Sequence, residues 1–156
     1  MDGFVAFKYL HIASMFFAVA LAVSGELVLR AVANSGEVVA IRTVTARVRP
    51  LANISTALFL TGVGFGIVAA LAGQIDLLAP WLILAYVAFV GAMALGITIS
   101  DPWVGRLERA AADSPDGAPS DSLRAVIADP LARAATWALM VLVAVLVYVM
   151  VVKPFA

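Results

Sequence analysis

The chain has 156 residues, of which 64% are hydrophobic and 13% charged, with a mean hydropathy of +1.07. A soluble domain is nearer about 45–50% apolar and about 25% charged, so water is not the main solvent here, and a formal net charge of +0 without a basic cluster leaves no nucleic-acid footprint. Having no cysteine removes disulfides, thiolate zinc sites, iron–sulfur clusters and cysteine nucleophiles, and one histidine removes a multi-histidine metal site within one chain.

The first apolar stretch, 5–29, would be roughly 36 Å long as a helix rising ~1.5 Å per residue, enough to cross a ~30 Å hydrocarbon core with some tilt. His11, Ser14, Ala18, Ala22 and Gly25 fall on one side of its helical wheel, a stripe of small and polar residues expected to face protein rather than lipid. Lys8 ahead of an apolar run and the small-x-small pattern Ala22-Val23-Ser24 outline a secretory signal. Asp2, the apolar Phe4, Val5 and Phe7, the length of the run and Arg30 beyond it argue instead that the segment stays attached.

Asn34 and Glu37 have capping-box spacing, and Val38, Ile41, Val44 and Val48 recur at helical spacing beside Arg42 and Arg49, which predicts an amphipathic interfacial helix over 36–48. Pro50 then opens a second span, 51–71. Its Gly62-Val63-Gly64-Phe65-Gly66 lacks the preceding strand and polar turn of a nucleotide loop; Gly62 and Gly66 read instead as GxxxG, which lets a neighbouring helix approach closely. A third span, 78–100, has Trp81 as an interfacial anchor, and its Ala92 and Gly96 suggest close packing against the second span. Asp101-Pro102 predicts a cap and first-turn proline opening a surface helix to about Ala112, with Trp103 at headgroup level. The tract 113–122 has the makeup of a mobile loop, and Asp129-Pro130 repeats the cap device before the last span, 131–152. Leu29-Arg30-Ala31-Val32 reappears as Leu123-Arg124-Ala125-Val126, and Pro50-Leu51-Ala52 as Pro130-Leu131-Ala132, a weak echo suggesting two related helical hairpins.

The expected fold is therefore an all-α membrane protein: one domain over 1–156, with four transmembrane helices in an up-down bundle and short interfacial helices in its two cytoplasmic connectors. Eight of the ten basic residues lie in those connectors, so the positive-inside rule places both connectors in the cytoplasm and both termini outside a plasma (bacterial inner) membrane.

Three passages carry a resemblance: Lys8 to Ser14 (KYLHIAS), the connector end Val48 to Leu51 (VRPL) ahead of the Gly-rich span, and Leu77 to Leu84 (LLAPWLIL). Together they resemble a bacterial family of small four-helix integral membrane proteins of unknown function, similar in look to CopD-type copper-resistance membrane domains. The likeness covers most of the chain and implies a fold and a membrane location but no reaction. Families with a similar Leu-His-Ile/Val start include haem-associated membrane proteins, although a two-histidine haem pattern would need a histidine this chain lacks.

Charges inside a span cost roughly 2.5–3.5 kcal/mol near its centre, so each needs a partner or an exit. Lys8 can snorkel. Glu26 and Arg30 have the favourable i,i+4 order and read first as an interfacial pair, worth ~0–1 kcal/mol. The functional alternative sets Glu26 against Asn53, Ser55 and Thr56 of the second span as a proton- or ion-handling polar cluster. His11 reads first as a buried hydrogen-bonding residue, donating to Ser14, Tyr86 or Tyr148, and in the alternative as a haem b ligand, with a second copy or Met15 or Met150 supplying the other axial bond. No nucleophile–base pair stands out, so no enzyme activity, catalytic residue or metal site is expected, and no cofactor beyond the haem alternative. The leading reading is a non-catalytic structural or accessory membrane component, or a small-molecule or ion handler. Its partners are the bilayer and a homodimer or larger complex; the alternatives are a haem protein through His11 and a small transporter through Glu26.

Overall fold

The computed structural model describes residues 2–155, and among them every regular element is helical. The elements are α1 (Gly3–Ser35), α2 (Val38–Ala72), α3 (Pro80–Leu95), a π-helical turn (Gly96–Ser100), α4 (Asp101–Ala112), α5 (Asp121–Ile127) and α6 (Pro130–Val152). Four helical stretches, Gly3–Ser35, Val38–Ala72, Pro80–Ala112 and Asp121–Val152, include windows long and apolar enough to cross a membrane. The chain is thus compatible with a small integral membrane protein.

Two helices run further than their apolar windows. The connector helix and the second span form one continuous α2 with Pro50 inside it, so Pro50 interrupts the hydrogen-bond ladder without ending the helix. The third span likewise continues into α4 through the π-helical turn, where the Asp101 N–H reaches back to the Gly96 carbonyl. This wider turn ends two residues before Pro102, whose missing N–H would interrupt the ordinary ladder there anyway. Asp101 consequently does not act as a helix-opening cap. Asp129 does: its side chain accepts from the Leu131 and Ala132 N–H groups ahead of α6. The Asn34–Glu37 capping box does not form, because α1 extends to Ser35. Gly36 closes it at φ +72°, a left-handed conformation suited to glycine, and the Ser35 hydroxyl accepts from the Glu37 N–H.

α1 packs along α2, and α3 along α6, following the two-hairpin division that the sequence echo suggests. The expected close pairing of the second and third spans is not the main one. Gly62 and Gly66 serve α1 instead: a Cβ on Gly62 would lie 3.2 Å from the Ser14 Cβ, and one on Gly66 would lie 2.7 Å from the His11 Nδ1. Between α3 and α6 the close approach falls at Gly91 against Leu142, while a Cβ at Gly96 would meet nothing. α2 and α3 do touch through Phe59 and Phe89, whose ring centroids are 6.0 Å apart.

The densest packing lies at the connector end. Leu29, Ala33, Val38, Ile41, Trp103, Leu107, Ala110, Ala111, Leu123 and Ala132 form one buried cluster, drawing together both connectors, the end of α1 and the start of α6. Helices gain little from apolar burial against each other in lipid, because acyl chains are as apolar as leucine. Here charged side chains surround the packing, and removing each Leu or Ile from water is worth roughly 1.5–3 kcal/mol. A smaller cluster at the opposite ends of α3 and α6 joins Trp81, Leu82, Ala85 and Val149. Both tryptophans assigned to the interface from sequence are therefore buried: Trp103 is fully enclosed, and Trp81 is 7% exposed with the Lys153 ammonium 5.3 Å from its ring centroid.

The polar tract 113–122, expected to be free, is tied down by Arg42. The last carbonyls of α4 have no partner within their own helix, and the Arg42 guanidinium donates to those of Ala111 (2.8 Å) and Ala112 and to the Ser114 carbonyl in the loop beyond, while Nη1 pairs with Asp116 at 2.6 Å. A cation at a helix C-terminus is also favoured by the helix dipole. Ser114, itself buried, donates to the Ala110 carbonyl and bonds Ser120, the N-cap of α5.

Candidate functional site: a buried carboxylate–guanidinium cluster

Where α1 leaves its apolar window, Glu26 and Arg30 project from the same face, four residues apart and so one turn apart. They do not form a surface pair: each side chain is 13% exposed. Their Nε–Oε1 separation is 3.4 Å, long for a charge-assisted bond, and what holds them is a third group. Thr136, buried in α6, accepts from the Arg30 Nε at 3.0 Å and donates to the Glu26 carboxylate. A hydroxyl has one hydrogen, so the Ala132 carbonyl, 3.1 Å away, competes with Glu26 for it.

The fourth member comes from α4. The Arg30 guanidinium carbon lies 3.7 Å from the centroid of the Trp103 ring, a cation–π contact, and the indole N–H donates to the Val126 carbonyl at 2.9 Å. Arginine suits this position because its planar, weakly hydrated cation can stack on an aromatic face while its edge donates hydrogen bonds. One donor nitrogen, Nη2, is buried without a partner, as is the hydroxyl of Ser100, one turn before Trp103. The cluster joins α1, α4 and α6 across the two hairpins, and in such a setting removing one partner leaves the other's charge buried and exposed to the full desolvation penalty.

Of the residues singled out from sequence, the structure brings Glu26 and Arg30 together and leaves Asn53 apart. Asn53 is exposed on α2, where it lines a groove with Arg49, Thr56 and Asp101. Ser55 instead donates to the Ala18 carbonyl across the α1–α2 contact at 2.9 Å, and Thr56 donates to Ala52 within its own helix. Thr136 and Trp103, which complete the cluster, were not among the sequence candidates. A short hydroxyl side chain near the start of an apolar span was the available signal for Thr136; for Trp103 it was the i,i+4 spacing of Trp103 and Leu107 on an amphipathic helix.

His11 lies on the same helix, α1, about four turns before Glu26, in the notch left by Gly66 of α2. Its Nδ1 lies 2.7 Å from the Gly62 carbonyl, so the bond goes to the α2 backbone and not to the hydroxyl of Ser14, Tyr86 or Tyr148. A carbonyl only accepts, so Nδ1 carries the proton and, in the neutral ring, Nε2 is the nitrogen with the free lone pair. That leaves His11 able to offer an axial bond to a haem, with Met15 next along the same α1 face at Gly62. Among the described residues no three His, Asp or Glu side chains converge as a metal site requires. No protein-family model, curated protein or solved structure matches the chain.

Proposed function

We propose that this chain is a multi-pass membrane protein of the bacterial inner membrane that acts as a non-catalytic structural or accessory component. In this reading the helices run up and down, the Arg-rich connector end is cytoplasmic, and both termini are outside. The observation that carries it is the use made of the charges near the span: Glu26 and Arg30 are closed on each other, Thr136 and Trp103, so they fasten the two hairpins together rather than line a path. The sequence resemblance to small four-helix membrane proteins and CopD-type domains supports the same fold and location. Purification in a mild detergent tests the accessory role: the protein is expected to travel within an assembly larger than its 16.3 kDa monomer and to separate from it only under harsher conditions. Exclusive recovery of the lone chain under all conditions would count against that role.

A second reading rests on His11. With Nδ1–H engaged by the Gly62 carbonyl, its Nε2 has the orientation partner that a ligating imidazole commonly uses. A reduced-minus-oxidised spectrum separates the two: the accessory reading expects no b-type signal, and a stoichiometric signal lost in a folded His11→Ala variant establishes the haem reading.

A further inference from the structure

Two polar atoms at the junction of α1, α4 and α6 are enclosed without a hydrogen-bond partner among the described residues, Nη2 of Arg30 and the hydroxyl of Ser100. Buried polar groups are nearly always satisfied, by protein or by ordered water, so two unmet ones in the same neighbourhood call for a shared partner. Arg30 lies over the Trp103 ring, 3.7 Å from its centroid, and its Nε donates to Thr136 of α6 at 3.0 Å. Ser100 precedes Trp103 by three residues, and a helical side chain leans over the turn before its own Cα, so the indole under Arg30 covers the turn that carries Ser100. The π-helical turn itself packs on α6, and Ser100, at its end, is only 8% exposed.

The same turn supplies a third unmet group. In an α-helical register the Ile97 carbonyl would accept from the Asp101 N–H, but that N–H reaches back to Gly96. In the wider π register it would accept from residue 102, which is proline and has no N–H. The Ile97 carbonyl is therefore left without a helical donor. It lies three residues before Ser100, the position that a serine hydroxyl faces when it turns back along its helix. An N–H donor, a hydroxyl and a carbonyl acceptor are thus left over around the entry to α4.

We propose that one internal water molecule is bound here, accepting from Arg30 Nη2, sharing a hydrogen bond with the Ser100 hydroxyl and donating to the Ile97 carbonyl. A buried water typically makes about three such bonds. A chloride ion does not suit the place: the Glu26 carboxylate already balances Arg30, so a second anion would stand uncompensated in a low-dielectric setting, and it would repel the carbonyl oxygen. A metal cation would face the guanidinium. Water alone can accept from the first group and donate to the last without adding charge. It ties the π-helical turn of one hairpin to α1 of the other, beside the direct bond through Thr136, and satisfies the backbone group that the turn and Pro102 leave over. This placement follows from the geometry of the cluster, whichever role the chain has in the membrane.

The test is water-to-amide nuclear Overhauser spectroscopy on the full chain in micelles. A long-lived internal water gives the amide of residue 100 a cross-peak at the water frequency with the sign of a contact inside the protein, opposite to that from fleeting surface water. Ser100→Ala should keep this peak, because Arg30 and Ile97 still hold the water and no hydroxyl remains to relay it. Ser100→Val should lose it, its extra methyl groups taking the water's place. Absence of the peak in the parent, its loss in Ser100→Ala, or its survival in Ser100→Val would overturn the proposal, the last two by tracing the signal to exchange from the serine hydroxyl or from Arg30. Should Ser100→Val not fold, a crystal structure of the parent decides. One solvent peak within hydrogen-bond distance of both Arg30 Nη2 and Ser100 Oγ is expected, and side chains closed on each other with no solvent between them would overturn the proposal.

Discussion

Arg30 of α1 and Trp103 of α4 meet face to cation, 3.7 Å apart, at the point where the two helical hairpins are joined. The contact lets a charged residue near the end of a span be covered on one side by an aromatic ring and bonded at its edge by Thr136. The same tryptophan is the largest fully buried side chain of the connector-end core, so packing and charge neutralisation share one residue.

Trp103→Ala should accordingly cost about 3–5 kcal/mol, the range for emptying a large aromatic site, and Trp103→Phe roughly 1–2 kcal/mol, since it keeps a ring under Arg30 but loses the bond to Val126. Unfolding titrations in mixed micelles measure both. Equal, small losses for the two variants would show that the ring is not an anchor.

Gly66→Ala would put a methyl 2.7 Å from the His11 Nδ1, and the ring cannot yield without stretching its bond to the Gly62 carbonyl. A loss of about 1–3 kcal/mol is expected, with the α1–α2 pair loosening first. Gly64→Ala is the control, because its Cβ would meet open space. Hydrogen exchange across 8–20 and 58–70 reads the difference: faster exchange in Gly66→Ala alone is the expected pattern, and identical behaviour of the two variants argues against the notch.

Arg42→Ala should free the loop that follows α4. It removes the donors to the Ala111 and Ser114 carbonyls and the partner of Asp116 while leaving the spans untouched. Limited proteolysis is then expected to cut at 115–118 several times faster than in the parent. An unchanged cleavage rate would mean that Ser114 and Ser120 hold the loop without help.

The apolar windows were legible because length and composition suffice to mark a span. Their rotation about their own axes was not. Reading Asn53 against Glu26 matched depth on the next span, but depth does not say which face a helix turns inward, and the partner lies on α6. Tryptophan near a span end usually reads as a headgroup anchor; the packing of α4 against the end of α1, the start of α2 and α5 buries Trp103, and the α3–α6 contact buries Trp81. Pro50 reads locally as a helix start, yet the packing of α2 along α1 on both sides of it carries the helix through. The π-helical turn has no sequence signature of its own. The small-residue pair Gly62 and Gly66 announced a close approach correctly, but not which helix would make it.

Topology follows from the arginines. The parent has no cysteine, so single cysteines at Ser120 and Gln74 report cleanly. A membrane-impermeant reagent applied from outside is expected to label position 74 and spare position 120. The reverse pattern would invert the orientation.

The most direct test of the central claim concerns Glu26. Glu26→Gln keeps an acceptor for the Thr136 hydroxyl but leaves the Arg30 charge buried without its counter-ion, and Thr136→Val removes the hydroxyl that links the two. For a structural fastening, each variant should lose stability, Glu26→Gln by about 2–4 kcal/mol, and the two losses should couple by at least about 1 kcal/mol in a double-mutant cycle. Reconstituted in proteoliposomes, the folded Glu26→Gln protein should show the same proton and ion flux as the parent. Undiminished stability together with loss of a flux that the parent carries would contradict the account and make Glu26 the centre of a transport path.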